Sequence, residues 1–304
     1  MIGNRNIELL HETMEIINAG GYEQQGQKSL KLTKEQMCEA IVLTDEQVGW
    51  LIANPLDFYI TDIGSCCFSV SNIDSFASAI NLSKDFLFQG DEEEGKKVLV
   101  LNFANPLEPG GGVYRGATAQ EEDLCRKSTL LLSLESEEAK EYYQAHGNMS
   151  SYLFSDAMIL SPNVEIFRDE RNDLLEDSVV VSVLTCGAPY AKGLRDVSNE
   201  ELEKVIYHRI LGMLMVAAKY GYQHLVLGAW GCGAFGNDPE MVSRLFYKAF
   251  KEVRWETTGG YIYADSLFRQ VVFAILSRDE QQNNLNCFKT YFDDFYHDEE
   301  EVTL

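Results

Sequence analysis

Apolar positions near the start of the chain recur at helical spacing. Ile7, Leu10, Met14 and Ile17 fall roughly on one face, which predicts a helix over residues 4–19, stopped by "GGY". The stretch "LTKEQMCEAIVL" (32–43) reads as a second helix, with Thr33 in the N-cap position and Gln36 three residues on. No strand is read before residue 58, so residues 1–57 are expected to form a helical extension packed on the rest. The pattern then alternates. "CCFSV" (66–70) predicts a strand and "SNIDSFASAINL" (71–82) a capped helix. "KVLVLNF" (97–103) is almost wholly apolar, as parallel strands covered on both faces are. A helix begins near Glu121, "DAMILS" (156–161) and "SVVVSVLT" (178–185) predict strands, and residues 199–221 predict a long helix closed by a glycine. "QHLVLGAW" (223–230), "DPEMVSRLFYKAFKEV" (238–253) and "RQVVFAIL" (269–276) complete the series as strand, helix and strand. Such alternation predicts a layered α/β fold on a mixed, mostly parallel sheet.

Composition narrows the class. A chain of 304 residues fits one large domain, or one domain with an extension, and 45% hydrophobic residues supply a sizeable core. The seven cysteines (38, 66, 67, 125, 186, 232 and 287) are odd in number and form no C-x-x-C, which points to reduced thiols and a cytoplasmic protein. The N-terminus lacks the apolar run of a secretory signal, and no apolar stretch approaches the roughly 20 residues that span a bilayer. A net charge of −23 argues against general binding to nucleic acid or anionic membranes. The runs "DEEE" (91–94) and "HDEEE" (297–301) read as solvated loop and tail. The expected organisation is an extension (1–57), a catalytic domain (58–290) and an acidic tail (291–304) in a monomer. Five scattered histidines show no zinc spacing, so neither metal nor cofactor is expected.

Two glycine-rich loops carry the candidate chemistry. "GAWGCGAFGND" (228–238) places Gly231, Gly233 and Gly236 as G-x-G-x-x-G between a strand and a helix. It sits in the penultimate strand–helix unit, no acidic residue closes the next strand, and no Lys-Ser/Thr follows. Neither a dinucleotide fingerprint nor a Walker loop is therefore complete. A backbone cradle for a phosphate or diphosphate remains, which needs no lysine and so tolerates the acidic charge. A tight turn without ligand is the other reading of this loop. The second feature is "LNFANPLEPGGGVYRGATAQEEDLC" (101–125), where three glycines follow a strand and two glutamates open a helix. Glu121 and Glu122 favour the positive helix end. Neighbours on a helix point about 100° apart, so at most one is expected to face the cleft squarely.

At these residues the chain resembles a known family. "GGGVYRGATAQEE" is similar to the GGG-x(6–8)-QEE signature of poly(ADP-ribose) glycohydrolases, which have a macrodomain fold. "IELLHETMEIINAGGY" resembles the N-terminal helix of the bacterial-type members, and "DAMILSPNVEIFRDE" (156–170) and "LVLGAWGCGAFGNDP" (225–239) resemble two further blocks. The resemblance runs in order from about residue 5 to 278. It implies a three-layer α/β/α sandwich and ADP-ribose as ligand. It implies Glu122 as catalytic acid/base and Glu121 on the ribose beside the scissile bond. Asn105, Gly110, Gly111, Gly112, Val113 and Gln120 would contact ligand from the first loop. Gly231, Cys232, Gly233, Ala234, Phe235 and Gly236 would hold the diphosphate, with Phe235 packing on the ligand. Many bacterial-type members carry asparagine just before "PGGG"; here that residue is Glu108, and the resemblance of "FAN" to animal-type members implies Asn105 as the ribose contact instead.

The implied activity is hydrolysis of ribosyl–ribose bonds, mainly in exo mode. Segments that would wall off the cleft are the helical extension and residues 161–178. The alternatives are a mono(ADP-ribosyl) hydrolase acting on protein or nucleic acid, and a non-catalytic ADP-ribose reader, which would need no acid. Cys232 reads as a small buried thiol rather than a nucleophile, and Trp230 as core. Tyr190, in "CGAPY", lies after a strand and within reach of the cleft.

Overall fold

A computed structural model describes residues 2–23, 26–54, 66–88, 98–257, 260–277 and 282–293. The acidic runs at 91–94 and 297–301 lie outside these residues. Helix α1 (Ile2–Ala19) buries Leu10 and Ile17, and ends at Gly20 with a φ of +70°. The hairpin β1 (Gly21–Glu23) and β2 (Gln27–Ser29), the short helix α2 (Lys34–Met37), β3 (Ile41–Leu43) and α3 (Asp45–Ala53) follow. Then come β4 (Cys67–Ser71), α4 (Ser75–Phe88), β5 (Val98–Ala104), α5 (Gln120–Lys127), α6 (Leu130–Leu134) and α7 (Lys140–Gly147). The chain continues through β6 (Met158–Arg168), β7 (Leu174–Gly187), α8 (Asn199–Lys219), β8 (His224–Leu227) and α9 (Pro239–Glu252). It closes with the hairpin β9 (Arg254–Thr257) and β10 (Gly260–Tyr263), then β11 (Gln270–Ala274) and α10 (Asn283–Phe292).

Seven strands form one sheet in the order β3-β6-β7-β5-β8-β11-β4. The β7–β5, β5–β8, β8–β11 and β11–β4 pairs are parallel, and β3–β6 and β6–β7 are antiparallel. The expected mixed, mostly parallel sheet is the one observed. Side chains along β5 alternate between two cores, as successive strand residues must. Leu99 and Leu101 join Met213 and Leu214 of α8 and Phe246 and Phe250 of α9. Val98 and Val100 join Phe76 and Ile80 of α4 and Leu124 and Leu130 on the other face. Helices therefore cover both faces, giving the three-layer sandwich.

The N-terminal reading needs correction. The Thr33–Gln36 capping box is present, but the helix it starts stops at Met37. Ile41–Leu43 then pair antiparallel with β6 as an edge strand of the main sheet, and a second capping box, Thr44–Gln47, starts α3. Three apolar residues bury more surface at the sheet edge than in an exposed helix, and tertiary burial overrides helical propensity. Strands thus occur before residue 58, and the first 57 residues contribute to the sheet. The buried Glu165 carboxylate ties them in further, accepting the backbone N–H groups of Lys31 and Leu32 at 2.8–3.0 Å.

Residues 161–178 were expected as wall material beside the cleft. They form instead the far part of the β6–β7 hairpin, turning at Asn172 with a φ of +68°. Since β7 runs parallel to β5, this part lies toward the strands' N-terminal edge, away from the glycine loops. The core also extends past residue 290: Phe288 and Phe292 of α10 are buried against Phe273.

Candidate active site

The central strands β7, β5 and β8 are parallel neighbours, and their C-terminal ends carry Gly187, Ala104 and Leu227. Loops leaving adjacent strand ends converge, which is where α/β sheets place ligands. Both glycine loops predicted from sequence leave this edge.

After β5 the first loop folds back over the start of α5. The Gly111 N–H donates to the Glu108 carbonyl at 2.9 Å, and Gly111 has a φ of +58°. A β-carbon at Gly111 would lie 2.6 Å from Glu122 Oε1 and 3.0 Å from Glu121 Oε2. Both carboxyls therefore approach one glycine, although they bond to different partners. The 100° separation holds on the helix, but the loop wraps the first turn and meets both side chains. Glu122 Oε1 accepts the Gly112 N–H at 2.8 Å, and its Oε2 is buried with no hydrogen-bond partner among the described residues. Glu121 turns toward β5, accepting the Asn105 N–H at 2.7 Å and the Asn102 side-chain amide at 3.2 Å. Complete burial pushes the Glu121 carboxyl up to about 8; the two hydrogen bonds favour the ionised form but do not offset the loss of water.

Other predicted residues of this loop have different surroundings. Asn105 Oδ1 caps the turn by accepting the Leu107 N–H, so Asn105 meets Glu121 through its backbone. The Gln120 amide is committed to β5 and α4: Oε1 accepts the Phe103 N–H, and Nε2 donates to the Leu101 carbonyl and Ser75 Oγ. It orients the helix on the sheet. Val113 is fully buried in the apolar cluster under the loop. Glu108 forms a two-pronged ion pair with Arg115 at 2.6–2.7 Å, which holds its carboxyl below the usual range.

The second loop is anchored from below. The Asn237 side-chain amide donates to the Pro189 and Gly231 carbonyls, and Trp230 is core, its Nε1 donating to the Cys186 carbonyl. Gly231 and Gly236 have φ of +74° and +75°. Gly233 and Ala234 are exposed, and among the described residues the N–H groups of Gly233, Ala234 and Phe235 donate to no protein acceptor. Consecutive free amides on such a turn attract anions. The Cys232 thiol donates to the Trp230 carbonyl at 3.5 Å, and burial pushes it up, so it is a poor nucleophile.

Residues from elsewhere brace this loop; of them the sequence pointed to Tyr190 alone, and Lys192, Tyr152 and Arg209 carried no local signal. Lys192 Nζ donates to the Ala234 carbonyl at 3.0 Å. Tyr190 packs edge-on against Phe235 and Tyr152, each with ring centroids 5.4 Å apart. The loop carrying Tyr152 is held by Arg209, which is buried and donates to the Leu153, Phe154 and Gly187 carbonyls and to Asp156. Burial raises the Asp156 carboxyl, but its bonds to His208 and Arg209 leave it below the usual range.

Comparison with known proteins agrees with this geometry. The family model for the microbial-type PARG catalytic domain matches residues 11–169. A poly(ADP-ribose) glycohydrolase structure from Thermomonospora curvata superposes with a TM-score of 0.82 at 30% identity, covering 95% of this chain and 100% of that one. A Deinococcus radiodurans poly(ADP-ribose) glycohydrolase in complex with ADP-ribose gives 0.74 at 32% identity, covering 88% and 99%. Poly(ADP-ribose) glycohydrolase 2 of Caenorhabditis elegans is 27% identical over 166 residues, 48% of this chain; the chain spans about a third, 34%, of that curated relative. With the family model matched across about half of the chain and the Thermomonospora curvata structure across nearly all of it, the chain belongs to the microbial-type PARG catalytic-domain family.

Proposed function

We propose that this chain is a poly(ADP-ribose) glycohydrolase, cleaving ribosyl–ribose O-glycosidic bonds mainly from the polymer end. The observation that carries the reading is Glu122: one carboxyl oxygen is anchored by the Gly112 N–H, and the other is buried without a partner among the described residues. A group held in this way is oriented to move a proton. In the forward step the C1″–O bond breaks, the Glu122 proton passes to the departing 2′ oxygen, and positive charge develops on the ribose. Water then bonds to C1″ and returns a proton to Glu122. Glu121, protonated at neutral pH, donates to a ribose hydroxyl while still accepting the Asn105 N–H. The diphosphate lies on the free amides of Gly233–Phe235, and its charge stabilises the cation.

The exo preference is supported by α1. Its N-terminal end packs against the first loop, with Asn6 Nδ2 donating to the Gly116 carbonyl at 3.0 Å, a contact that supports its reading as wall material. Incubation with poly(ADP-ribose), with products resolved by length, tests the whole reading. Free ADP-ribose should appear before oligomers. Glu122→Gln should lower the rate by about 10²–10⁴-fold while ADP-ribose still binds. Early oligomers overturn the exo mode; turnover confined to mono-ADP-ribosylated protein overturns the substrate.

A further inference from the structure

Glu108 and Arg115 clasp the glycine loop from its two ends, Oε1 to Nη1 at 2.7 Å and Oε2 to Nη2 at 2.6 Å. Their side chains are 43% and 64% exposed. An ion pair so open to water contributes little to stability, so a purely structural strap explains it poorly. Its position is more informative. A β-carbon built on Gly112 would lie 3.5 Å from Glu122 Oε1 and 3.6 Å from Arg115 Nη2. The guanidinium and the acid/base carboxyl therefore flank a single glycine. Glu121 is bonded to other groups, the Asn102 amide and the Asn105 N–H on β5 and the residue after it.

This arrangement gives the site a direction. Glu121 marks the ribose whose bond is cut, and Glu122 marks the departing oxygen. Arg115 then stands on the leaving-group side. In the polymer the leaving group is the next adenosine, whose 5′ oxygen carries a diphosphate one ribose away from the departing 2′ oxygen. A planar guanidinium takes phosphate in the same two-pronged geometry as carboxylate. A cation here also answers the net charge of −23, which otherwise repels an anionic chain.

We propose that Arg115 is the contact for the phosphate of the leaving ADP-ribose unit, and that polymer binding exchanges the Glu108 carboxylate for that phosphate. The proposal rests on the glycohydrolase reading of the site. It makes Arg115 a specificity residue, because a side-chain-linked single ADP-ribose has no phosphate on that side of the bond. It also gives Glu108 a function: it holds the fork aimed at the mouth and competes with weaker anions.

The test compares kcat/KM for poly(ADP-ribose) with kcat/KM for p-nitrophenyl ADP-ribose, whose leaving group carries no phosphate. Arg115→Gln should lower the polymer-to-nitrophenyl ratio about tenfold, mostly through KM for polymer, the size of one solvent-exposed charge-assisted contact. Glu108→Gln should raise the ratio, since it removes the competitor. Arg115→Lys should fall between wild type and Arg115→Gln, keeping the charge but losing the fork. A ratio unchanged by Arg115→Gln, with both substrates slowed together, overturns the proposal and leaves the pair a strap. Wild-type protein that turns over neither substrate overturns the underlying reading instead.

Discussion

Glu121→Gln is the perturbation whose outcome the structure constrains most tightly. The Glu121 side chain is fully buried, and loss of water raises its carboxyl from 4.5 to about 8. The folded chain therefore keeps a proton that the unfolded chain releases from about pH 4.5 upward. Below that pH both states carry the proton, and the full stabilising contribution of the neutral acid is present. Between about 4.5 and 8, unfolding releases a proton, so stability falls as pH rises; above about 8 both states are ionised and the loss levels off. At about 1.4 kcal/mol per pH unit, the interval is worth about 5 kcal/mol. Glutamine keeps an acceptor for the Asn105 N–H and removes the titration. Urea unfolding of both proteins at pH 5, 6, 7 and 8 gives the difference directly. Wild type should lose several kcal/mol relative to Glu121→Gln over this range. Parallel profiles would falsify the claim that burial holds this carboxyl neutral.

Gly233→Val should weaken ADP-ribose binding at least about tenfold with little change in melting temperature, because a β-carbon there meets no protein atom within 4 Å; unchanged affinity by calorimetry removes the diphosphate from this loop. Gly111→Val should instead abolish turnover and destabilise the fold by about 1–3 kcal/mol, since valine is strained at a φ of +58° and its β-carbon, 2.6 Å from Glu122 Oε1, would push the carboxyl aside. Arg209→Met should destabilise by about 2–3 kcal/mol in urea unfolding, because three backbone carbonyls lose their donor and Asp156 is left with His208 as its partner; a loss under about 1 kcal/mol would show that this network is not what holds the Tyr152 loop.

The central strands were readable because they are mostly apolar and lie next to turn residues. β5, β8 and β11 were placed to within a few residues for that reason. β3 was missed because three apolar residues follow a strong capping box, and nothing local says that the helix ends after one turn. The second box, Thr44–Gln47, was the available signal. The β6–β7 hairpin was read short because Pro162 falls where its register shifts, between Ser161 and Val164, interrupting the alternation that identifies a strand. α10 was passed over although Leu285, Phe288 and Phe292 have helical spacing; the acidic run beyond it drew the boundary too early.

The site was legible where its chemistry lies within one loop, and illegible where distant segments supply it. Spacing alone can pair three glycines with two glutamates, but not find Lys192 beneath the second loop, or Asn102 beneath Glu121. Asn102 is the plainest case. Within β5 it reads as a polar flaw in an apolar strand, and the sequence offers no reason for it. In the fold it faces Thr185 on β7 and Glu121 on α5, each at 3.2 Å from its side-chain nitrogen. The three glycines likewise have separate reasons that composition merges into one. A β-carbon at Gly110 would strike Leu131 in the core at 2.8 Å, one at Gly112 would strike Ala117 at 2.7 Å, and only the one at Gly111 would separate the two carboxyls. Gly110 and Gly112 let the loop lie close to the helix, and Gly111 lets Glu121 and Glu122 approach the same point. The glycine run is thus a packing requirement that brings two acids together, not a source of slack.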